Sequence, residues 1–231
     1  MSSGSDLTAP PNFTLRTERI EPVRLLGEGT YGAVHVAWDR ELCCCRALKV
    51  FKPEDDGDVA ETAMREIAFL SSLTDARALC IVPLLEVFAG DGSTVAVLMP
   101  LMEEDLGDAI ASGAFPTWPH ARPPLEDVLH GLDFLHACRP PMMHRDLKPE
   151  NVLRDPLGRH FITDVGFMRF TRDGPPSENV GCRPGSNQRA TASYSAPEML
   201  RHGSPHGPPV DLWALGVIAV ELHQNARLTA V

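Results

Sequence analysis

The clearest periodic signal lies near the start of the chain, where apolar residues alternate with polar ones. Val23 to Val36 reads as two extended runs that meet at Gly27, Gly29 and Gly32, with Val34 and Val36 on alternate positions of the second run. The glycines therefore fall at a hairpin tip. Arg46 to Phe51 reads as a further strand that carries one cation, Lys49, in an otherwise apolar stretch. The period then changes. A helix is predicted roughly from Asp58 to Leu73, with Asp58 as N-cap and Ile67, Leu70 and Leu73 at a spacing of three. Two apolar runs, Ile81 to Phe88 and Thr94 to Leu98, flank Ala89-Gly90-Asp91-Gly92-Ser93 and read as a hairpin. Residues 113–124, crowded with Pro and Gly, read as a loop, and Leu125 to His136 as a buried amphipathic helix. Phe161 to Gly166 follows as a short strand and turn, a long polar segment comes next, and an apolar helix runs from Val210 to Leu222.

Composition adds limits to this picture. The chain has 231 residues, 43% hydrophobic and 23% charged, which is a globular balance able to bury a core. No apolar run approaches the roughly 20 residues of a membrane helix, so no membrane partner is expected. Met1 to Asn12 is rich in Ser, Gly and Pro and lacks a basic start and an apolar core; residues 1–21 are expected to form a flexible tail rather than a secretory signal. The formal charge of −10 argues against an extended nucleic-acid surface. Among six cysteines, Cys43-Cys44-Cys45 are consecutive and point to opposite sides of an extended chain, a poor disulfide framework that fits a reducing compartment, cytoplasmic or nuclear. No Cys-x-x-Cys pair occurs, and His202 and His206 sit among Gly and Pro, so no structural zinc site is expected.

Candidate chemistry gathers at two places. The three glycines have a spacing shared by several phosphate-binding loops, because glycine lets backbone amides approach phosphate oxygens. A dinucleotide fingerprint needs a helix after the glycines, and a P-loop needs a closing Gly-Lys-Ser or Gly-Lys-Thr; neither condition holds. The second place is His144-Arg145-Asp146-Leu147-Lys148-Pro149-Glu150-Asn151, which packs an acid, a cation and an amide behind an apolar helix, with a further acid at Asp164, thirteen residues after Asn151. This string matches, without a substitution, the catalytic loop of protein kinases. The chain resembles a eukaryotic-type protein kinase of the serine/threonine-specific branch. Gly27-Glu28-Gly29-Thr30-Tyr31-Gly32 and Arg65-Glu66-Ile67 are closest in wording to the cyclin-dependent group.

The resemblance implies an α+β, bilobal fold with an antiparallel β N-lobe (22–99), a hinge (100–104) and a mainly helical C-lobe (105–231) that lacks the last helices. The activation segment would span 164–198. It implies ATP and Mg2+ as cofactors and a protein substrate, with a regulatory protein or an upstream kinase as further candidate partners. Asp146 would orient the substrate hydroxyl and accept its proton, Lys148 would neutralise charge on the transferred phosphoryl, and Lys49, held by Glu66, would bind the α- and β-phosphates. Asn151 and Asp164 would be the metal ligands. Gly27, Glu28, Gly29, Gly32, Val34, Ala47, Met99, Pro100, Met102, Asp105 and Leu153 would line the nucleotide site. Pro100 lacks an N–H but can present a carbonyl there, with the next donor at Met102. Thr191 matches the position that bonds Asp146 and Lys148, and Asp211 the buried Asp that braces the catalytic loop. Thr30, Tyr31, Ser177 and Ser186 are candidate phosphosites.

Three departures from the family pattern stand out. Val165 replaces the Phe usual between Asp164 and Gly166, Ser195 replaces the Arg expected before Ala196-Pro197-Glu198, and Glu198 is expected to lack its usual Arg partner, which the family carries on later helices. A catalytically impaired nucleotide-binding or scaffold protein is the alternative reading.

Overall fold

The early alternation produces three strands, β1 (Ile20–Glu28), β2 (Gly32–Asp39) and β3 (Cys44–Phe51), paired antiparallel in that order. The computed structural model describes residues 15, 17–29, 32–52, 61–73, 75–77, 79–90, 94–170, 192–201 and 206–228. Asp58, Thr30, Tyr31, Ser177, Ser186 and Thr191 lie outside the described residues. The chain divides into two units, Met1–Thr74 with Pro83–Leu101 and Asp75–Val82 with Met102–Val231.

In the first unit the sheet runs β1-β2-β3-β5-β4, with β4 at Glu86–Ala89 and β5 at Val95–Pro100. Side chains alternate across a pleated strand, so the register sorts residues by face. Leu48 and Val50 join Ile20, Ala37, Phe88, Ala96 and Leu98 in one buried cluster. Helix α1 (Glu61–Ser72) buries Ala63, Glu66 and Leu70. The tail expected over residues 1–21 ends earlier than predicted, for an electrostatic reason. Arg19 Nη2 lies 2.7 Å from Asp39 and its Nη1 2.9 Å from Glu86, which fastens the chain to two strands just before β1. The strand expected from Ile81 also contracts to Glu86–Ala89, because Pro83 supplies no ladder N–H. Ile81 instead forms a parallel bridge with Ile162 in the second unit.

The second unit contains β6 (Glu104–Asp105), α2 (Leu106–Ala111), α3 (Trp118–Ala137), β7 (Met142–Met143), a single 3-10 turn at Pro149–Asn151, β8 (Val152–Arg154), β9 (His160–Ile162), a 3-10 turn at Val165–Phe167, β10 (Arg169–Phe170), α4 (Pro197–Leu200) and α5 (Pro209–Gln224). The region read as a loop over residues 113–124 contains the first two turns of α3. Pro119 occupies the helix start, where an N–H has no partner in any case. Pro123 and Pro124 lie inside, and the helix tolerates them because Ala121, Pro124, Val128, Leu132 and Leu135 bury a continuous stripe. Gly131 is required there, since a Cβ would press on the Ile162 side chain and on the Leu79 and Cys80 carbonyls.

Helix α5 is apolar on nearly every side. Val210, Ala214, Ile218 and Leu222 are buried, while Leu212, Trp213 and Val220 are 43–49% exposed. Two acids are buried with the apolar stripe. Asp211 Oδ1 accepts the Arg145 N–H and Oδ2 the His144 N–H, both at 2.9 Å, and His136 Nε2 stands 2.8 Å from the same Oδ2.

Two predictions follow from these contacts. Arg19 hydrogen bonding holds the Asp39 carboxyl down at about 2, against the opposing effect of burial. A depressed carboxylate contributes stability that is complete above its unfolded value of about 4 and lost as pH falls through its folded value. In thermal melts, Arg19→Gln should be less stable than wild type at pH 6, and the gap should close between about pH 4 and pH 2. A constant gap would refute the linkage. Asp211→Ala strands the buried His144 N–H and the part-buried Arg145 N–H, at about 1–3 kcal/mol for a fully buried donor, so urea unfolding should show a loss of about 2–4 kcal/mol. The exposed Asp133→Ala control should stay within about 0.5 kcal/mol.

Candidate active site

The first unit gathers most of its candidates by register alone. Gly27 stands opposite Val34, Val34 opposite Lys49, and Ala47 opposite Met99, so all five lie on the sheet face away from the Leu48–Val50 cluster. A lysine there, with its side chain only 12% exposed, needs a counter-charge. It receives one from α1: Lys49 Nζ is 2.9 and 2.8 Å from the two Glu66 oxygens, and the Glu66 side chain is 4% exposed. Lys49 Nζ also lies 5.1 Å from the centre of the Phe51 ring, which completes a cationic site shielded on two sides.

The glycines differ in their surroundings. A Cβ on Gly32 would collide with the Val50 carbonyl oxygen, whereas one on Gly27 would meet nothing within 4 Å. Gly29 donates its N–H to the Gly32 carbonyl at 2.8 Å, which begins the closure of the hairpin tip. Lys52 bonds the Gly29 carbonyl and lies 2.7 Å from Glu28, which lowers the Glu28 carboxyl below its ordinary value. Glu28 is thus half of a surface ion pair. Pro100 stands opposite Arg46, on the other face of the sheet from Ala47.

In the second unit, the loop from His144 to Asn151 brings three candidates into contact. Lys148 Nζ lies 2.9 Å from Asp146 Oδ2. Asn151 Nδ2 donates to the Asp146 carbonyl at 2.7 Å and to Oδ2 at 3.2 Å, leaving Oδ1 as the amide atom outside these two bonds. Asn151 then accepts the Thr163 N–H through its backbone carbonyl at 3.0 Å, which extends the β8–β9 ladder and carries Asp164 to the neighbouring position. The backbone of Asp164 is left-handed, φ 59. His144, wholly buried, has its Nε2 2.9 Å from the Thr163 carbonyl. Asp164 and Asn151 are hard oxygen donors, the chemistry that suits Mg2+ rather than a soft metal. Among the described residues no group of three or more His, Cys, Asp or Glu side chains is arranged to hold a metal.

The remaining candidates are more dispersed. Leu153 lies in β8 between Asp105 and Phe161 in register. Asp105 caps α2, accepting the Asp108 N–H at 2.9 Å, and burial raises its carboxyl above the ordinary value. Met102 is half-buried at the start of the second unit, before Glu103 donates its N–H to the Arg154 carbonyl. Val165 is buried, in the 3-10 turn that follows Asp164.

Sequence reasoning did not identify several polar partners. His136 joins Asp211, and Asp127 accepts the His160 N–H at 2.8 Å. Burial opposes the Asp127 charge, but the His160 bonds prevail and lower its carboxyl. Tyr194 donates to the fully buried Glu221, and burial with that carboxylate pushes its hydroxyl far above the ordinary range. No spacing rule links Tyr194, Glu221 and Arg227, which meet only through the fold.

Comparison with known proteins places this geometry. Residues 20–230 match the protein kinase domain. The cyclin-dependent kinase 7 of Caenorhabditis elegans is 32% identical over 211 residues, covering 89% of this chain and 60% of that protein. The cell division control protein 2 homolog 3 of Trypanosoma brucei brucei is 32% identical over 214 residues, 91% of this chain and 64% of its own length. The cyclin-dependent kinase 7 of Xenopus laevis is 32% identical over 212 residues, 90% of this chain and 56% of its own. The chain thus spans about three fifths of the length of the relatives it matches. No helix among the described residues is long and apolar enough to cross a membrane. With the His144–Asn151 loop, the Lys49–Glu66 pair and a match along nearly its whole length, the chain belongs to the protein kinase domain family.

Proposed function

We propose that the chain is a protein serine/threonine kinase that transfers the γ-phosphoryl group of ATP to a protein hydroxyl. The observation that carries this reading is the contact set of Asp146, Lys148 and Asn151 within one braced loop. Asp146 orients the attacking hydroxyl and accepts its proton. Lys148, already 2.9 Å from that carboxylate, balances charge on the transferring group. Lys49 takes the α- and β-phosphates, with Glu66 fixing its ammonium. Asn151 and Asp164 would hold Mg2+, which when bound neutralises charge on the phosphates. Gly27, Val34, Ala47 and Met99 supply an apolar face for the base. Phosphoryl transfer of this kind depends on positioning and electrostatics, and Lys49, Asp146, Lys148 and Asn151 each have a hydrogen-bonded partner here.

The exposed free thiols of Cys43 and Cys45 support a reducing compartment, cytoplasm or nucleus. Two of the matched relatives carry a cyclin requirement in their names, which supports a regulatory protein partner for this chain. A nucleotide-binding protein without turnover is the second reading. It is favoured by Val165, whose small side chain stands where a larger one is usual in the family.

Purified chain with Mg2+ and ATP should phosphorylate a generic basic protein. Asp146→Asn should lower kcat by about 10²–10⁴-fold, the share a positioned base supplies, while ATP binding persists. Binding without turnover in the folded wild type would shift the assignment to the second reading. Glu66→Gln removes the charge that holds Lys49, and steady-state kinetics should show kcat/KM for ATP reduced by about 10- to 100-fold, the cost of misplacing a positioned group. Unchanged kinetics would remove Glu66 from the machinery.

A further inference from the structure

Strand β9 is the outer strand of its three-stranded sheet, with β8 on one side only. Backbone groups on alternate residues of such a strand point outward, here those of His160 and Ile162. All three β9 residues are buried, so the outward groups need partners other than bulk water. Ile162 is served by backbone: its N–H donates to the Cys80 carbonyl at 2.8 Å and its carbonyl accepts the Val82 N–H at 2.9 Å. His160 is served by a side chain. Its N–H donates to Asp127 Oδ2 at 2.8 Å, so a carboxylate on α3 takes the place of a neighbouring strand at the first residue of β9.

The helix period suits position 127 to this task. Asp127 and Gly131 are four residues apart on α3 and therefore share a face. Gly131 meets the same strand, since a Cβ there would lie 2.8 Å from Ile162 Cδ1. One position holds β9 by charge, and the other admits it by having no side chain. The imidazole adds little to the hold. His160 Nδ1 stands 3.4 Å from the same Asp127 oxygen, a long contact, and Nε2 is buried without a hydrogen-bond partner among the described residues. The backbone bond is thus the one that Asp127 supplies to full strength.

The hold on β9 reaches the candidate metal ligand by a short path. Asp164 lies four residues after His160, and between them the Thr163 N–H donates to the Asn151 carbonyl at 3.0 Å. A slip at His160 would move the strand that carries the chain to Asp164.

We propose that Asp127 is a positioning residue for Asp164: by accepting the outward N–H of His160 it fixes β9, and β9 sets where Asp164 begins. The role of Asp164 as a metal ligand rests on the kinase reading; the hold on β9 does not.

Hydrogen exchange on the full chain reads the hold without relying on activity. In Asp127→Ala the His160, Ile162 and Thr163 amides should exchange at least about tenfold faster, while the β2–β3 amides keep their wild-type rates. Asp127→Asn retains an acceptor oxygen, and His160→Phe loses only the long ring contact, so in both the amides of positions 160, 162 and 163 should stay within about threefold of wild type. Mn2+ titration in the presence of ADP, followed by water proton relaxation, reads Asp164 without turnover, because Mn2+ takes the same oxygen donors as Mg2+. Its affinity should fall at least about fivefold in Asp127→Ala, somewhat less than the loss of a group bonded directly to a metal ligand. Asp127→Asn and the exposed control Asp133→Ala should remain within about twofold of wild type.

Wild-type exchange rates at positions 160, 162 and 163 in Asp127→Ala overturn the proposal. So does acceleration spread evenly over the chain, which would give Asp127 a role in global stability alone. Tenfold faster exchange in Asp127→Asn or His160→Phe, which keep an acceptor for the N–H of position 160, overturns it whether or not Asp127→Ala folds. A loosened β9 with unchanged Mn2+ affinity overturns the positioning of Asp164. If β9 loosens as expected and the wild type binds no Mn2+ beside ADP, the kinase reading fails and the hold on β9 stands.

Discussion

The second unit depends on one buried carboxylate. Asp211 holds two consecutive backbone N–H groups, those of His144 and Arg145, one on each oxygen. Arg145 has φ 71, a left-handed conformation that a side chain as large as arginine adopts only under constraint. Such a residue stores of order 1–3 kcal/mol of strain, which persists only where its surroundings fix it. The charge-assisted bond from its own N–H to Asp211 is the fixing contact. Everything that follows in the loop, from Asp146 to Asn151, starts from that constrained point. The order of the candidate catalytic residues is thus set by a helix that begins more than fifty residues later in sequence.

The same helix poses a problem of orientation that charge resolves. An amphipathic helix chooses its buried face through the hydrophobic effect. Helix α5 has apolar residues on both the buried side, as at Ile218 and Leu222, and the exposed side, as at Trp213 and Val220, so burial of apolar area alone favours no rotation strongly. Directional bonds do. Asp211 near the beginning requires backbone donors, and Glu221 near the end requires Tyr194 and a cation. Rotating the helix would break both sets and leave two unpaired buried charges, a penalty of several kcal/mol for each. The two acids act as pins, and the helix becomes a fixed bar between them.

The sequence was most legible where one periodicity governed one element. Alternation from Val23 to Phe51 predicts strands whose register then brings Gly27, Val34, Ala47, Lys49 and Met99 to a common face. The pairing of Lys49 with Glu66 rather than with Glu61 could also be anticipated, because Arg65-Glu66-Ile67 carries a recognisable wording and Glu61 instead pairs with Arg65. Legibility failed where local rules and tertiary packing disagreed. Three prolines in the start of α3 signal a loop, yet burial of Ala121 and Pro124 keeps the helix intact. Pro83 interrupts a run that reads as one strand and sends Ile81 into the other unit. Arg19, His136 and Arg227 have no local signature at all; each is a cation or imidazole whose partner lies 20 to 77 residues away.

The glycine motif shows how a single pattern can hold two causes. Gly32 is demanded by its own sheet, since any side chain would strike the Val50 carbonyl, and no ligand is needed to explain it. Among the described residues Gly27 has open space around its missing Cβ, and a Cβ at Gly29 would come no nearer than 4.0 Å to the Gly32 carbonyl oxygen. Packing therefore does not require glycine at either position, and glycine in or beside a strand carries an entropic cost of roughly 0.5–1 kcal/mol. Approach of another group to the bare backbone would balance that cost, and among groups that seek backbone amides a phosphate would also account for Lys49 on the same face. In this motif the first two glycines carry the argument for a nucleotide, and the third carries the argument for the sheet.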